Sequence, residues 1–297
     1  MKRDFILGLI LVCVFLIMGM GMWQIVSERG TEVGTTRVSV VASFYPLAFL
    51  ADEIGKEKIA VKNLTPVGVE PHEYEPTARD MVEIQQAKLL ILNGENFEGW
   101  VKKVKSELKN VLVVEAAKDL MIENDVHVWL SPELAKQEAR VILSGLVQID
   151  PLNRDYYMEN EKLLENKLEK MTVDFRNGLS NCTHQEIIVS HGAFGYLARE
   201  FGLKQVAISG ISPDEEPSMK QLTEVAQFAR KNNVKYIFFE RLISPKLAET
   251  IAEEVGAKTL VLDPIEGIDN NDIAVGKNYL TIMEDNLANL RTALECR

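Results

Sequence analysis

Short apolar runs alternate with amphipathic stretches over most of the chain. Residues 38–43 and 88–94 consist largely of β-branched and other apolar side chains, which is typical of buried strands. Residues 46–55 instead carry apolar side chains at helical spacing and close on a glycine, which predicts a helix that ends there. Strands that alternate with helices favour parallel β-sheets covered by helices on both faces, an α/β fold.

This alternation is interrupted between residues 151 and 177, where the sequence has no strand signal. Residues 155–177 would form a helical rod of roughly 35 Å at 1.5 Å per residue. We interpret this stretch as a rigid linker helix between two α/β lobes. Its apolar side chains step by four, three and four positions and so form one narrow stripe on a charged helix: Leu164, Leu168, Met171 and Phe175.

The remaining elements follow from the same patterns. In the first half, further strands are predicted at 58–64 and 110–117, and further helices at 77–87 and 97–108. In the second half, strands are predicted at 186–190, 205–210, 236–240 and 259–263, and helices at 193–202, 218–232, 244–256 and 279–294. The predicted organisation is a signal or anchor segment with a tether at 1–36, an N-terminal lobe at 37–150, the linker helix at 151–180 and a C-terminal lobe at 181–297.

The N-terminus has the features of an export segment. Lys2 and Arg3 precede residues 5–23, a run without a charge, and a basic start before an apolar run is typical of export. The run is long enough to span a bilayer, no clear small-residue cleavage site follows it, and the bulky Val12 disfavours lipid attachment at Cys13. We predict an uncleaved anchor, with a cleaved signal as the alternative; both place the rest of the chain outside the cytoplasm, on the outer face of the membrane or in the periplasm.

Composition narrows the classes of partner. The chain of 297 residues is 46% hydrophobic and 26% charged, as in ordinary globular proteins, and its net charge of -11 argues against a nucleic-acid partner. An acidic chain suits cationic cargo, although most acidic proteins are simply soluble. Cys182 and Cys296 could pair in an oxidising compartment or remain free thiols, and the cysteines show no metal-ligand spacing.

Three of the 4 histidines fall where an α/β sheet binds its ligands, beyond the carboxyl ends of strands. His72 and His127 lie in loops of the first half, and His191 directly follows a predicted strand. Two carboxylates, Glu240 and Asp263, end predicted strands of the second half. A single loop histidine is usually a surface residue and a strand-end carboxylate is usually a cap or an ion-pair partner, so the prediction of a site depends on their joint placement.

Three imidazoles and one carboxylate form a closed ligand set for a divalent transition metal. Such a set suits tetrahedral Zn²⁺. Mn²⁺, which prefers more oxygen, is the alternative cargo, whereas Ca²⁺ requires six or more oxygen ligands. Because the ligands lie far apart in sequence, the site is predicted between the two lobes.

Six motifs in order along the chain resemble those of the zinc- and manganese-binding solute-binding proteins of ABC importers, the TroA-like and ZnuA-like family. They are GVEPHEYEPTARD, DVHVWLSP, IDPLNRDYYMEN, SHGAFGYLAREFGL, ISPDEEPSMKQL and LVLDP. The resemblance implies two α/β lobes bridged by one long helix, a metal held in the cleft, and an ABC permease as membrane partner. It implies His72, His127, His191 and Asp263 as ligands, with Glu240 and Glu75 as neighbouring groups or alternative ligands.

The chain departs from the family pattern in two places. Val126 stands where the family usually has proline before its second histidine, and residues 115–127 lack the long histidine-rich insertion of some zinc-specific members. Members that prefer manganese often have a carboxylate at the third ligand position, so His191 favours zinc.

Other functions predict different chemistry. An extracytoplasmic zinc hydrolase would keep an open metal position, with Glu75 or Glu240 as a base. A binding protein for cobalamin or a siderophore would use aromatic and basic residues instead of three histidines, and no sequence feature indicates an adhesive surface. We therefore predict a non-enzymatic monomer that captures Zn²⁺, or alternatively Mn²⁺, for a membrane permease and binds no nucleic acid.

Overall fold

Two separate parallel sheets organise the computed structural model, which describes residues 37–122 and 125–297. Within these residues the first sheet has the strand order β2-β1-β3-β4 and the second has the order β6-β5-β7-β8. The strands of the first sheet are β1 (Val38–Ala42), β2 (Ile59–Asn63), β3 (Leu89–Leu92) and β4 (Leu112–Glu115). Those of the second are β5 (Glu186–Val189), β6 (Lys204–Ala207), β7 (Tyr236–Phe239) and β8 (Lys258–Val261).

The central strands are covered on both faces. All four residues of β3 are buried, as expected for a parallel strand between two helical layers. In the neighbouring β1, Val40 pairs with Val61 of β2 on one side and with Leu89 of β3 on the other. Strand order reverses beside β1 in the first sheet and beside β5 in the second, and the loops at the carboxyl ends of such strands are where α/β sheets bind ligands.

Helices connect the strands, and most lie where the sequence predicts them. In chain order they are α1 (Tyr45–Gly55), α2 (Ala78–Gln86), α3 (Val101–Val104), α4 (Pro132–Ile149), α5 (Arg154–Leu179), α6 (Gly195–Phe201), α7 (Met219–Lys231), α8 (Lys246–Val255), α9 (Asn270–Ala274) and α10 (Tyr279–Ala293). Short 3-10 turns occupy Lys56–Lys58, Lys105–Glu107, Val128–Leu130 and Pro151–Asn153. These elements confirm the predicted α/β class.

The long helix α5 confirms the predicted linker. It has 26 residues, which corresponds to about 39 Å, and it packs against α1, α4 and α10. Its predicted apolar stripe is the buried face: Leu164, Leu168, Met171 and Phe175 are each at most 6% exposed. The helix therefore belongs to the main hydrophobic core, which contains residues of both sheets.

Cys182 and Cys296 form a disulfide, which decides between the two states that the sequence leaves open. The bond joins the connection between α5 and β5 to the segment that follows α10, across 114 positions of sequence. Residues 37–297 form one compact unit, and the borders predicted at residues 150 and 180 stay a prediction.

The predicted anchor and tether at residues 1–36 lie outside the described residues. Among the helices of residues 37–122 and 125–297, none is both long and apolar enough to cross a membrane.

Candidate metal centre

Four side chains from four different loops converge on one point. His72 lies in the loop after β2, His127 in the loop between β4 and α4, His191 just beyond β5, and Glu266 in the loop after β8. Each sheet thus contributes two groups from the carboxyl ends of its strands, as the topology predicts. His127, His191 and Glu266 are buried, and His72 is partly buried.

The ligand atoms of the four side chains lie close together. Nε2 of His127 lies 3.2 Å from Nε2 of His72 and 3.2 Å from Nε2 of His191. Oε1 of Glu266 lies 3.2 Å from each of the same three nitrogens. All four atoms lie within 4.8 Å of one another. In a tetrahedral zinc site with bonds of about 2.0–2.1 Å the ligand atoms are about 3.3 Å apart, so five of the six separations have the length expected in such a site.

Carboxylates behind two of the rings orient the imidazoles. Asp125 Oδ1 lies 2.9 Å from His127 Nδ1 and also accepts the His127 backbone N–H at 3.0 Å. Glu240 Oε1 lies 2.8 Å from His191 Nδ1 and accepts the His191 backbone N–H at 3.2 Å. A hydrogen bond at Nδ1 fixes the ring and directs Nε2 to the metal, and it makes that nitrogen more basic.

His72 is held by its loop. Its backbone N–H donates to Glu70 Oε1 at 3.2 Å, and its ring meets the ring of Phe97 edge-on, with 4.8 Å between centroids. The preceding Pro71 is buried, and its fixed φ restricts the backbone just before the ligand.

The charges of the four groups are strongly interdependent. Burial alone would raise the pKa of the Glu266 carboxyl, but hydrogen bonds from the three imidazoles hold its pKa well below the usual range. Burial disfavours the charged form of His191, yet Glu240 and Glu266 raise the pKa of its imidazole to about 10. The pKa of His127 is raised in the same way, against the effect of burial, by Asp125 and Glu266. Proximity of Glu266 thus favours the charged forms of His127 and His191, and protons compete with a metal ion for imidazole nitrogens.

The carboxylate that lies beside the three histidines is Glu266, whereas the predicted ligand Asp263 lies in contact with other groups. Asp263 Oδ2 lies 3.2 Å from Nε of Arg241, and its Oδ1 accepts the backbone N–H of Ile265 at 2.8 Å. Both carboxylate oxygens thus have partners away from the histidines. Burial raises the pKa of Asp263 to about 7, against the opposing effects of Ile265 N–H and Arg241.

Glu266 lies close in sequence to the predicted Asp263. This residue follows the predicted Asp-Pro pair by two positions and precedes Gly267. A turn after the strand carries the later carboxylate into the site, because Ile265 adopts a left-handed conformation with φ of 57°. An isoleucine in that conformation is uncommon, so the pattern of residue types alone favours the wrong carboxylate.

The two further predicted carboxylates differ in position. Glu240 contacts His191, as described above. Glu75 does not reach the centre: its side chain is 64% exposed and pairs with Lys103 Nζ at 2.9 Å. The structure therefore places Glu75 in an exposed ion pair and not beside the three histidines.

Comparison with known proteins gives a family match over almost the whole described chain. Residues 40–293 match the family model described as "ZnuA: Zinc-uptake complex component A periplasmic". A high-affinity zinc uptake system protein, ZnuA, of Bacillus subtilis is 39% identical over 280 residues, which cover 87% of this chain and 88% of that protein. The zinc-binding lipoprotein AdcA of Streptococcus pneumoniae is 35% identical over 277 residues, 86% of this chain but only 55% of AdcA, so this chain spans about half the length of that relative.

Solved structures agree with these matches. The metal-dependent lipoprotein YcdH of Bacillus subtilis is 40% identical and superposes with a TM-score of 0.78, covering 87% of this chain and 99% of that one. The Zn(II)-bound ZnuA-like domain of Streptococcus pneumoniae AdcA is 36% identical with a TM-score of 0.79, over 87% and 99% of the two chains. The laminin-binding protein Lmb of Streptococcus agalactiae, described as having adhesin and metal transporting activity, is 34% identical with a TM-score of 0.81, over 86% and 99%.

Proposed function

The chain belongs to the ZnuA family of periplasmic zinc-uptake components, and from this premise we propose that it captures Zn²⁺ outside the cytoplasm and delivers it to an ABC permease. The cargo is bound by His72, His127, His191 and Glu266. Burial of these side chains means that the ion leaves bulk water when it binds, and four protein ligands replace its hydration shell.

The observation that carries this proposal is the spacing of the four ligand atoms. Five of their six separations, two between imidazole nitrogens and three between those nitrogens and Glu266 Oε1, are 3.2 Å. A shell with three nitrogens and one oxygen favours zinc, whereas manganese prefers an oxygen-rich shell. Mn²⁺ remains the alternative cargo for the experiment to exclude.

Transport favours a closed site over a catalytic one. Catalytic zinc keeps a coordination position for water, usually beside three protein ligands. Here four protein groups surround the point where the ion would sit. Glu240, which the hydrolase alternative would use as a base, is hydrogen-bonded to His191 Nδ1. The zinc hydrolase alternative therefore gains no support, and the family is one of solute-binding transport components.

Zinc affinity of the purified chain tests the proposal. We expect one Zn²⁺ per chain in competition with a chromogenic chelator, and loss of binding when His72→Ala is combined with His191→Ala. The matched control is His184→Ala, because this fourth histidine lies outside the cluster, with its Nε2 3.8 Å from Glu295 Oε2. Retention of full affinity by the double variant, or preference for Mn²⁺ over Zn²⁺ at equal concentrations, would contradict the assignment.

A further inference from the structure

Residues 263–266, which we call the ligand segment, are held by hydrogen bonds from several directions. The backbone N–H of Asp263 donates to Asn286 Oδ1 at 2.8 Å, and Asn286 Nδ2 donates to the Asp263 carbonyl at 2.7 Å. The Pro264 carbonyl accepts from Trp129 Nε1 at 2.7 Å. Since Trp129 follows the ligand His127 by two positions, this last bond ties the Glu266 loop to the loop of another ligand.

Within the ligand segment the backbone adopts an unfavourable conformation. Ile265 has φ of 57° and is fully buried. A β-branched side chain in the left-handed region is a genuine outlier, and such conformations persist only where the surroundings over-determine them. This conformation lies immediately before Glu266, so it sets the direction in which that carboxylate leaves the backbone.

The Asp263 carboxylate stabilises the strained turn directly. Its Oδ1 accepts the Ile265 N–H at 2.8 Å. This bond closes an Asx-turn, in which an aspartate side chain accepts from the backbone N–H of the residue two positions later. Its Oδ2 is fixed by Arg241 Nε at 3.2 Å, and Arg241 is itself anchored by Asp272, with 3.1 Å between Nη1 and Oδ2. Arg241, Asp263 and Ile265 thus form a chain of contacts that ends at the ligand Glu266.

We propose that Asp263 is a positioning residue, which holds Ile265 in its left-handed turn and thereby presents Glu266 to the metal, with Arg241 orienting Asp263. This inference deepens the proposed function and rests on it, because it concerns how the same centre obtains its affinity. The Glu266 carboxylate is then a pre-formed ligand. It is already in position before the ion arrives, so metal binding need not order it.

Three variants separate positioning from ligation. Asp263→Ala removes the acceptor for Ile265 N–H, and we expect the zinc Kd to rise about tenfold to a hundredfold, the range found when groups that orient metal ligands are removed. Asp263→Asn keeps an oxygen in the same place, so we expect a Kd within about threefold of the native value. Glu266→Ala removes the ligand itself and should exceed both in its effect.

A spectroscopic measurement accompanies the affinities. Cobalt(II) in place of zinc gives visible bands whose intensity reports a four-coordinate site, and we expect the native and Asp263→Asn spectra to agree. If Asp263 were a ligand, the asparagine and alanine variants would lose affinity together and both spectra would change. That outcome would overturn the proposal.

A structural control excludes a general loss of stability. Ser218→Ala removes another side-chain cap in the same half, at the start of α7, where Ser218 Oγ accepts from Gln221 N–H at 3.2 Å. We expect it to lower the thermal midpoint of the metal-free protein without changing zinc affinity. If Asp263→Ala behaved in this way, with a lower midpoint and native affinity, positioning would be disproved.

Failure of folding does not remove the test. Should Asp263→Ala not fold, Arg241→Gln is the second variant: it replaces a side chain that is about one-third exposed and removes the partner of Asp263 Oδ2. Native zinc affinity in Arg241→Gln would count against the proposal. Weaker zinc affinity with an unchanged thermal midpoint of the metal-free protein would support it. Failure of the proposed function is a separate result: the native chain itself would then bind no zinc.

Discussion

Buried carboxylates with few partners occur in this protein beyond the metal centre. Glu138 in α4 is fully buried, and neither of its oxygens has a hydrogen-bond partner among the described protein residues. Burial, and then the neighbouring Glu98, raise the pKa of Glu138 to about 8. The folded protein therefore holds a proton on Glu138 at pH values where the unfolded chain has released it.

This residue predicts the direction in which stability changes with pH. Because the folded-state pKa is raised above the ordinary glutamate value of 4.5, the native state binds more protons, and the free energy of unfolding falls as pH rises from about 4.5 to about 8. We expect Glu138→Gln to remove part of this slope, on the order of 3 kcal/mol between pH 5 and 8. Urea unfolding of the metal-free protein at both pH values measures it.

Glu133→Gln provides the matched control on the same helix. Its side chain is 51% exposed, so this variant removes a carboxylate from the same helix without removing a buried one, and we expect a smaller change in slope than in Glu138→Gln. An unchanged slope in Glu138→Gln would show that this carboxyl is ionised in the folded protein. Residual slope in that variant is expected, since burial also raises the pKa of Glu98 to about 7.

At the scale of single elements, regular patterns predict well and local polar contacts do not. The stripe of α5 lies on its buried face because periodicity directly reflects which side meets the core. The helix predicted at 97–108 is instead short, Val101–Val104 with a 3-10 turn after it. The buried Glu98 carboxylate accepts the backbone N–H groups of Asn93 and Gly94 at 2.8 and 2.9 Å, and this cap holds the preceding residues in a turn that periodicity does not reveal.

Helix α5 contains a matched pair of leucines that tests its role. Leu168 is fully buried and Leu163 is 56% exposed. We expect Leu168→Ala to lower the free energy of unfolding by about 2–5 kcal/mol, because it leaves a cavity in the core shared by both sheets. Leu163→Ala should change it by less than about 0.5 kcal/mol. Denaturant unfolding measures both, and equal effects would mean that the stripe is not the packing face.

At the scale of the whole molecule, the site consists of residues that only the fold brings together. The sequence identifies His72, His127 and His191, because each follows a recognisable strand or motif. It does not identify Glu266, whose position depends on the turn at Ile265 and on contacts from Trp129 and Asn286. Such contacts join residues more than twenty positions apart and leave no local pattern.

Because each sheet supplies two of the proposed ligands, zinc should stabilise the molecule as one unit. At a free zinc concentration about 100 times the Kd, we expect the free energy of unfolding to increase by about 2.7 kcal/mol. Calorimetry should show a single transition that moves to higher temperature. Calcium at the same excess is the control, since one carboxylate cannot satisfy its need for oxygen ligands. A zinc-dependent shift in only part of a two-step transition would contradict the shared site.

The Cys182–Cys296 disulfide determines whether proteolytic cleavage of the chain would release a fragment. The bond encloses β5 through α10 in one covalent ring, which contains two of the four proposed ligands, His191 and Glu266. A protease that cuts the ring once, for example at the exposed residues 214–216, opens the ring without releasing a piece. The nicked protein would keep its mass apart from one added water, and two fragments would separate only after reduction.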